Sequence, residues 1–163
     1  MTAFRDIRRI DRALPAGEAR EILQRADYGV LATVGADGWP YAVPVNHVLS
    51  GDVLYIHCAM EGHKLENIAH EERVSFAAVA SARVLPDTLS TLYESAIAFG
   101  RAALVTDSTE KRRALELLAV RFCGDVTPEA ERTIATSGPQ TAVVRIRLER
   151  IAGKAHRTRA QEA

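Results

Sequence analysis

Residues Tyr28 to Cys58 read YGVLATVGADGWPYAVPVNHVLSGDVLYIHC, and the punctuation of this stretch decides the fold class. Tyr28–Val34 is rich in β-formers and closes at Gly35-Ala-Asp-Gly38, a turn signal. Pro40–Leu49 reads as a second strand, Ser50-Gly51-Asp52 as another tight turn, and Val53–Cys58 as a third, alternating strand. Short turns between consecutive strands predict an antiparallel meander. That argues against a βαβ nucleotide fold: Gly35–Gly38 runs into Trp39-Pro40-Tyr41 and a further strand, with no helix to aim a dipole at a pyrophosphate.

Outward from this stretch the pattern turns helical on both sides. Pro15 suits the first turn of a helix with Ala19, Ile22, Leu23 and Ala26 on one face, and the charged residues 1–13 before it read as an N-terminal arm. Downstream, His63–His70 is a short helix, Arg73–Leu85 a fourth strand, and Ser90–Tyr93 leads into a fifth, Ser95–Val105. Asp107-Ser-Thr-Glu110 offers capping oxygens to a helix whose Leu115, Leu118, Ala119 and Phe122 share a face. A shorter helix is expected from Pro128 to Ala135, a sixth strand over Thr141–Ile151, and a flexible tail over 154–163. Tyr28, Tyr55, Phe99 and Phe122 read as core. The sum is a single α+β domain spanning 1–163, a six-stranded, mostly antiparallel barrel with flanking helices.

Composition narrows the function. The chain has 163 residues, 47% of them hydrophobic, and 21 basic against 21 acidic side chains. With no net charge there is no field to hold nucleic acid or an anionic membrane, although one local basic pocket stays possible. Cys58 and Cys123 permit at most one disulfide, and the N-terminus lacks an apolar core; both point to a cytoplasmic protein without a membrane segment. His47, His57, His63 and His70 lie in one stretch with Cys58, but their gaps straddle strand, loop and helix, so no metal centre is expected.

Chemistry concentrates in Ile56-His-Cys-Ala-Met-Glu-Gly-His-Lys64. A strand end, a glycine bend and a lysine opening a helix form an anion-binding arrangement, in which backbone N–H groups and His63 with Lys64 meet a phosphate. The plain alternative is a solvated lysine on an exposed turn. The serines lack a nucleophile-elbow setting, and Cys58 alternates away from His57.

Five segments, in order, carry a family resemblance: Tyr28-Gly-Val-Leu-Ala-Thr33; Pro40-Tyr-Ala-Val-Pro-Val-Asn-His47; Leu54–Ala59 with Gly62-His-Lys64; Tyr93–Ala102; and Thr141–Lys154. The chain resembles the FMN-binding split-barrel family related to pyridoxamine 5′-phosphate oxidase, and within it the nitroimidazole-reductase (nitroimidazole-resistance) branch. The resemblance implies a homodimer with FMN in clefts at the subunit interface. It places Pro44, Val45 and Asn46 along the flavin ring, His57, Cys58 and Ala59 on the adjoining strand, and His63 and Lys64 on the phosphate. Ser95 falls on a later strand that reaches flavin in relatives, and His57 is the catalytic candidate.

The activity so implied is oxidoreduction of a small planar acceptor such as a nitroaromatic. An Arg-rich ring strand, a Ser-Arg-Lys loop and a C-terminal Trp, features of true pyridoxamine phosphate oxidases, have no counterpart, which points away from that substrate. A non-catalytic flavin- or haem-binding protein and a deazaflavin-dependent reductase are the alternatives on the same fold.

Overall fold

The computed structural model describes residues 4–158. In chain order the elements are β1 (Ala13–Leu14), α1 (Ala16–Arg25), β2 (Gly29–Val34), β3 (Pro40–Val45), β4 (Val48–Ser50), β5 (Val53–Ala59), α2 (His63–His70), β6 (Arg73–Leu85), β7 (Ser90–Leu104), α3 (Ser108–Cys123), α4 (Pro128–Ser137) and β8 (Thr141–His156). All strand pairs are antiparallel, in the order β3-β2-β6-β7-β8-β5-β4, with β1 added on β8.

Two expectations change here. The sheet has eight strands rather than six, because the run Pro40–Leu49 breaks at Asn46-His47 into β3 and β4 and the arm supplies β1. The first three expected strands also do not form a meander. β3 pairs only with β2, at one end of the sheet, while β4 pairs with β5 at the other. Yet only two residues separate β3 from β4, so the Cα atoms of Val45 and Val48 lie at most about 11 Å apart. Opposite ends of one sheet are thereby brought together, and the sheet must curl into a barrel.

Inside the barrel, alternation holds. Leu31, Leu54, Ile56, Phe76, Val144 and Ile146 point inward and are fully buried. α1 packs against β8, β7 and β6 and buries Ala19, Ile22 and Leu23, and it rests directly on β8: a Cβ added to Gly153 would lie 2.6 Å from the Ala19 Cβ. α3 covers the outside of the β5–β8 pair, where Val105, Ala114 and Val143 form a second small core with Tyr55 and Leu115. The first turn of α3 is tied down by the Asp107 side chain, which accepts from the Glu110 N–H at 2.7 Å.

The sheet extends into both the expected arm and the expected tail. β8 continues to His156, so Lys154 to His156 belong to the strand, while residues 159–163 of the expected tail lie outside the described residues. The arm docks through β1 and through Phe4, whose ring meets Phe99 at 5.2 Å; its residues 1–3 lie outside the described residues. Of the aromatics expected in the core, Tyr28 is 60% and Phe122 41% exposed, while Tyr55 and Phe99 are half-buried.

His47, in the link between β3 and β4, is buried. Its Nε2 lies 2.7 Å from the Leu23 carbonyl oxygen and its ring meets Phe76 edge-on at 4.8 Å. A carbonyl only accepts, so Nε2 carries the proton and Nδ1, buried without a partner, stays bare. Burial holds the His47 pKa below the ordinary histidine value; the Leu23 carbonyl opposes this and nearby Arg121 adds to it. The folded protein therefore keeps His47 neutral where the unfolded chain takes up a proton. The stabilisation is fully present above about pH 6.5 and is lost as pH falls toward the folded value, with a slope of up to about 1.4 kcal/mol per pH unit. Denaturant unfolding between pH 7.5 and pH 5.5 is expected to show this loss, and His47→Gln to flatten it.

Candidate functional site

β5 ends at Ala59, and Met60-Glu61-Gly62 carries the chain into α2. Gly62 adopts φ +127°, a conformation side-chain-bearing residues rarely take, and open space surrounds it. The first N–H groups of α2 have no intrahelical acceptor and face outward along the dipole. The His63 ring leans on Tyr41 of β3 at 4.2 Å, and Lys64 lies near enough to Cys58 to act on its thiol. Burial is the larger influence on Cys58 and pushes its pKa up, so it is a thiol rather than a nucleophilic thiolate at neutral pH. Among the described residues, Lys64 forms no ion pair, whereas many surface arginines do. An unpaired cation beside free N–H groups fits a phosphate.

α2 is held in place by polar contacts that the sequence did not reveal. Buried Asn67 donates from Nδ2 to the Thr33 Oγ1 at 3.0 Å, and the Thr33 hydroxyl faces the Tyr41 carbonyl at 3.5 Å. Thr33 occupies an inward position of β2 next after Leu31. A polar residue at an inward strand position was the one available signal, and its partner lies 34 residues away.

Between β3 and β5 the barrel is split. β4 pairs with β5 at Val48–Tyr55, Leu49–Leu54 and Ser50–Val53, and the ladder stops there. Continued in register, it would set Asn46 opposite His57, Val45 opposite Cys58 and Pro44 opposite Ala59. Instead β3 leaves to pair with β2, and no ladder joins these two triplets. Six of the expected cofactor residues thus flank one wedge whose apex is Asn46-His47. Their backbones present unladdered edges to a ligand, which suits the amide-rich rim of a flavin ring.

On the outer face of β5, His57 shares the side of Tyr55, opposite the inward Ile56. His57 and Asn46 line a cavity of about 350 Å³ roofed by α3 and α4. The Asn46 Nδ2 donates to the Asp27 carbonyl at 2.9 Å, which fixes the amide and leaves its oxygen free to accept. The expected site therefore divides into an anion corner (His63, Lys64, Cys58), the wedge, and a cavity wall (His57, Asn46).

Ser95 stands apart. It pairs with Lys154 and its hydroxyl meets the Lys154 carbonyl at 3.4 Å, whereas Ala59 pairs with Thr141 at the other end of β8. At about 3.3 Å per residue these points are separated by roughly 40 Å of strand. Among the described residues no three His, Cys, Asp or Glu side chains converge as a metal site, and no helix is long and apolar enough to cross a membrane.

The sequence model described as pyridoxamine 5′-phosphate oxidase matches residues 15–155, nearly the whole chain. This chain belongs to that family. No curated protein sequence matches it. Among solved structures it is similar to a protein from Bacteroides thetaiotaomicron described as a candidate 5-nitroimidazole antibiotic resistance protein, at 23% identity and TM-score 0.73, covering 87% of this chain and 85% of that one. It is also similar to the conserved hypothetical protein Rv2991 from Mycobacterium tuberculosis, at 21% identity and TM-score 0.79 over 93% and 91%. The flavocytochrome Anf3 from Azotobacter vinelandii matches at 18% identity and TM-score 0.78 over 94% and 73%. These likenesses agree on the split-barrel fold.

Replacing Asn67 with Leu would remove the donor to the buried Thr33 hydroxyl and leave it only the long 3.5 Å contact with the Tyr41 carbonyl. A loss of about 1–3 kcal/mol in unfolding free energy is expected, measured by denaturant titration.

Proposed function

We propose that this member of the pyridoxamine 5′-phosphate oxidase family is a cytoplasmic, homodimeric FMN-dependent oxidoreductase that reduces a small planar acceptor of the nitroaromatic or nitroimidazole kind. The observation that carries this reading is the wedge between β3 and β5, with an anion corner at one side and a histidine-lined cavity at the other. Likeness to a candidate nitroimidazole resistance protein and to a flavocytochrome supports it.

The residues divide the work. Lys64, His63 and the first N–H groups of α2 hold the phosphate. Pro44, Val45 and Asn46 on one strand, with His57, Cys58 and Ala59 on the other, orient the ring through their open backbone edges. Bound FMN would supply two-electron transfer between a reduced donor and the acceptor. His57, on the cavity wall, delivers a proton to the acceptor as it is reduced.

Ser95 joins the site from a second subunit. Its outward face of β6 and β7 also carries Val79 and Ile97, 56% and 45% exposed, an apolar sheet surface that a partner would cover. Pairing of two such faces gives Ser95 a route to the partner's phosphate corner that its own chain does not provide.

Two measurements test the reading. The purified protein should show a flavin absorption spectrum, or gain one on adding FMN, and release FMN on denaturation; Lys64→Ala should weaken FMN binding at least tenfold in a fluorescence titration. Dithionite-reduced protein should be reoxidised anaerobically by a nitroimidazole. His57→Ala should slow that step tenfold or more while retaining FMN, given the usual size of general-acid effects. A colourless protein that takes up no FMN overturns the cofactor reading. A flavoprotein whose reduced form ignores the acceptor favours the non-catalytic flavin or haem carrier instead.

A further inference from the structure

We propose that the cavity between α3, α4 and the outer face of β5 is the acceptor pocket, and that it selects uncharged compounds of one or two rings over charged ones of the same shape. This rests on the flavin reading, because the pocket's inner wall is made by Asn46 and His57, which also stand at the apex of the wedge proposed for the ring.

Three observations converge on it. The volume, about 350 Å³, sits at the small end of the range for ligand pockets, enough for one or two fused rings and too little for a dinucleotide. The lining contains no Asp, Glu, Lys or Arg. On the covering helices Arg112, Glu116, Glu129, Glu131 and Arg132 are tied into the pairs Arg112–Glu116, Arg112–Glu131 and Arg132–Glu129, Glu110 pairs with Arg145, and Arg121 stays outside the lining, where it donates to the Ala26 carbonyl and stacks on Phe122 at 5.2 Å. An ionic ligand would lose water there and find no carboxylate, ammonium or guanidinium in the lining to pair with, whereas a neutral nitro or carbonyl oxygen could accept from His57 or from the Thr133 and Thr141 hydroxyls.

The covering helices point the same way. A helix over a barrel normally buries its apolar stripe, but α4 has no fully buried residue, and in α3 only Ala114 and Leu118 are. Leu115, Phe122 and Ile134 turn toward the cavity instead and leave apolar surface for a ligand. Phe122, 41% exposed at the C-terminal end of α3, is placed at the rim. Ala119 is the small lining residue whose enlargement would fill the space.

The test uses the matched pair 4-nitrobenzamide and 4-nitrobenzoate, alike in shape and different in charge, titrated calorimetrically into the full-length protein with and without FMN. The amide should bind at least tenfold more tightly than the carboxylate. Ala119→Trp should weaken the amide at least tenfold and leave FMN affinity within twofold. Phe122→Ala, a change at the rim that spares the core, should shift preference toward a two-ring nitronaphthalene, and circular dichroism checks that both variants fold. Equal affinity for the pair, or unchanged amide binding in a folded Ala119→Trp, overturns the proposal. So does a matching loss of FMN affinity, which would place the flavin ring itself in the cavity. A parent protein that binds no FMN overturns the flavin reading alone, because the amide and carboxylate affinities are also read without it.

Discussion

Two residues, Asn46 and His47, join the opposite ends of an eight-stranded sheet, and the rest of the architecture follows from that short reach. A chain that must step from β3 to β4 across two residues cannot leave the sheet open. β3 pairs with β2 along one edge while its other edge makes no ladder with β5, and the barrel closes at a point rather than along a seam. The gap that results is the proposed site. Closure and binding thus draw on the same residues: His47 turns inward to the Leu23 carbonyl, while Asn46 turns outward to the Asp27 carbonyl and the cavity.

Local signals carried much of this. Turn residues bounded β2, β5 and β6, the span His63–His70 matched α2, and alternation separated His57 from Cys58. The family resemblance located six residues that the structure sets on the two sides of one wedge. What escaped was non-local. Pro40–Leu49 is a continuous run of β-formers, and nothing within it says that its halves pair at opposite ends of the sheet. The Thr33–Asn67 bond joins residues distant in sequence, and aromatic character alone did not say which way Tyr28 and Phe122 face. Lys154 looked like the start of a polar tail because its neighbours are polar; β-pairing with Ser95 and Ala13 overrides that composition.

Zero net charge acquires a local meaning. Arginines pair widely with carboxylates over the surface, as in the cluster where Glu94 receives both Arg25 and Arg157. The exposed pairs among them add little stability, but all of them consume positive charge. Among the described residues Lys64 is one of the cations without an ion pair, and it stands beside a glycine bend and a helix N-terminus. A protein can therefore be neutral as a whole and still offer one concentrated positive corner, with the dipole of α2 reinforcing a single ammonium group.

Ser95 and Ala59 pair with opposite ends of β8, and if Ser95 completes the site of a partner subunit, as proposed, a thermodynamic consequence follows. A site assembled from two chains obeys mass action: cofactor affinity rises with protein concentration, and cofactor in turn tightens the association by the same free energy. Dilution then acts as an antagonist without touching any contact within one subunit. Under the proposed two-chain flavin site, a dilute cell extract would shed the chromophore and concentration would restore the colour, so that appearing as a flavoprotein would become a function of the protein's own abundance.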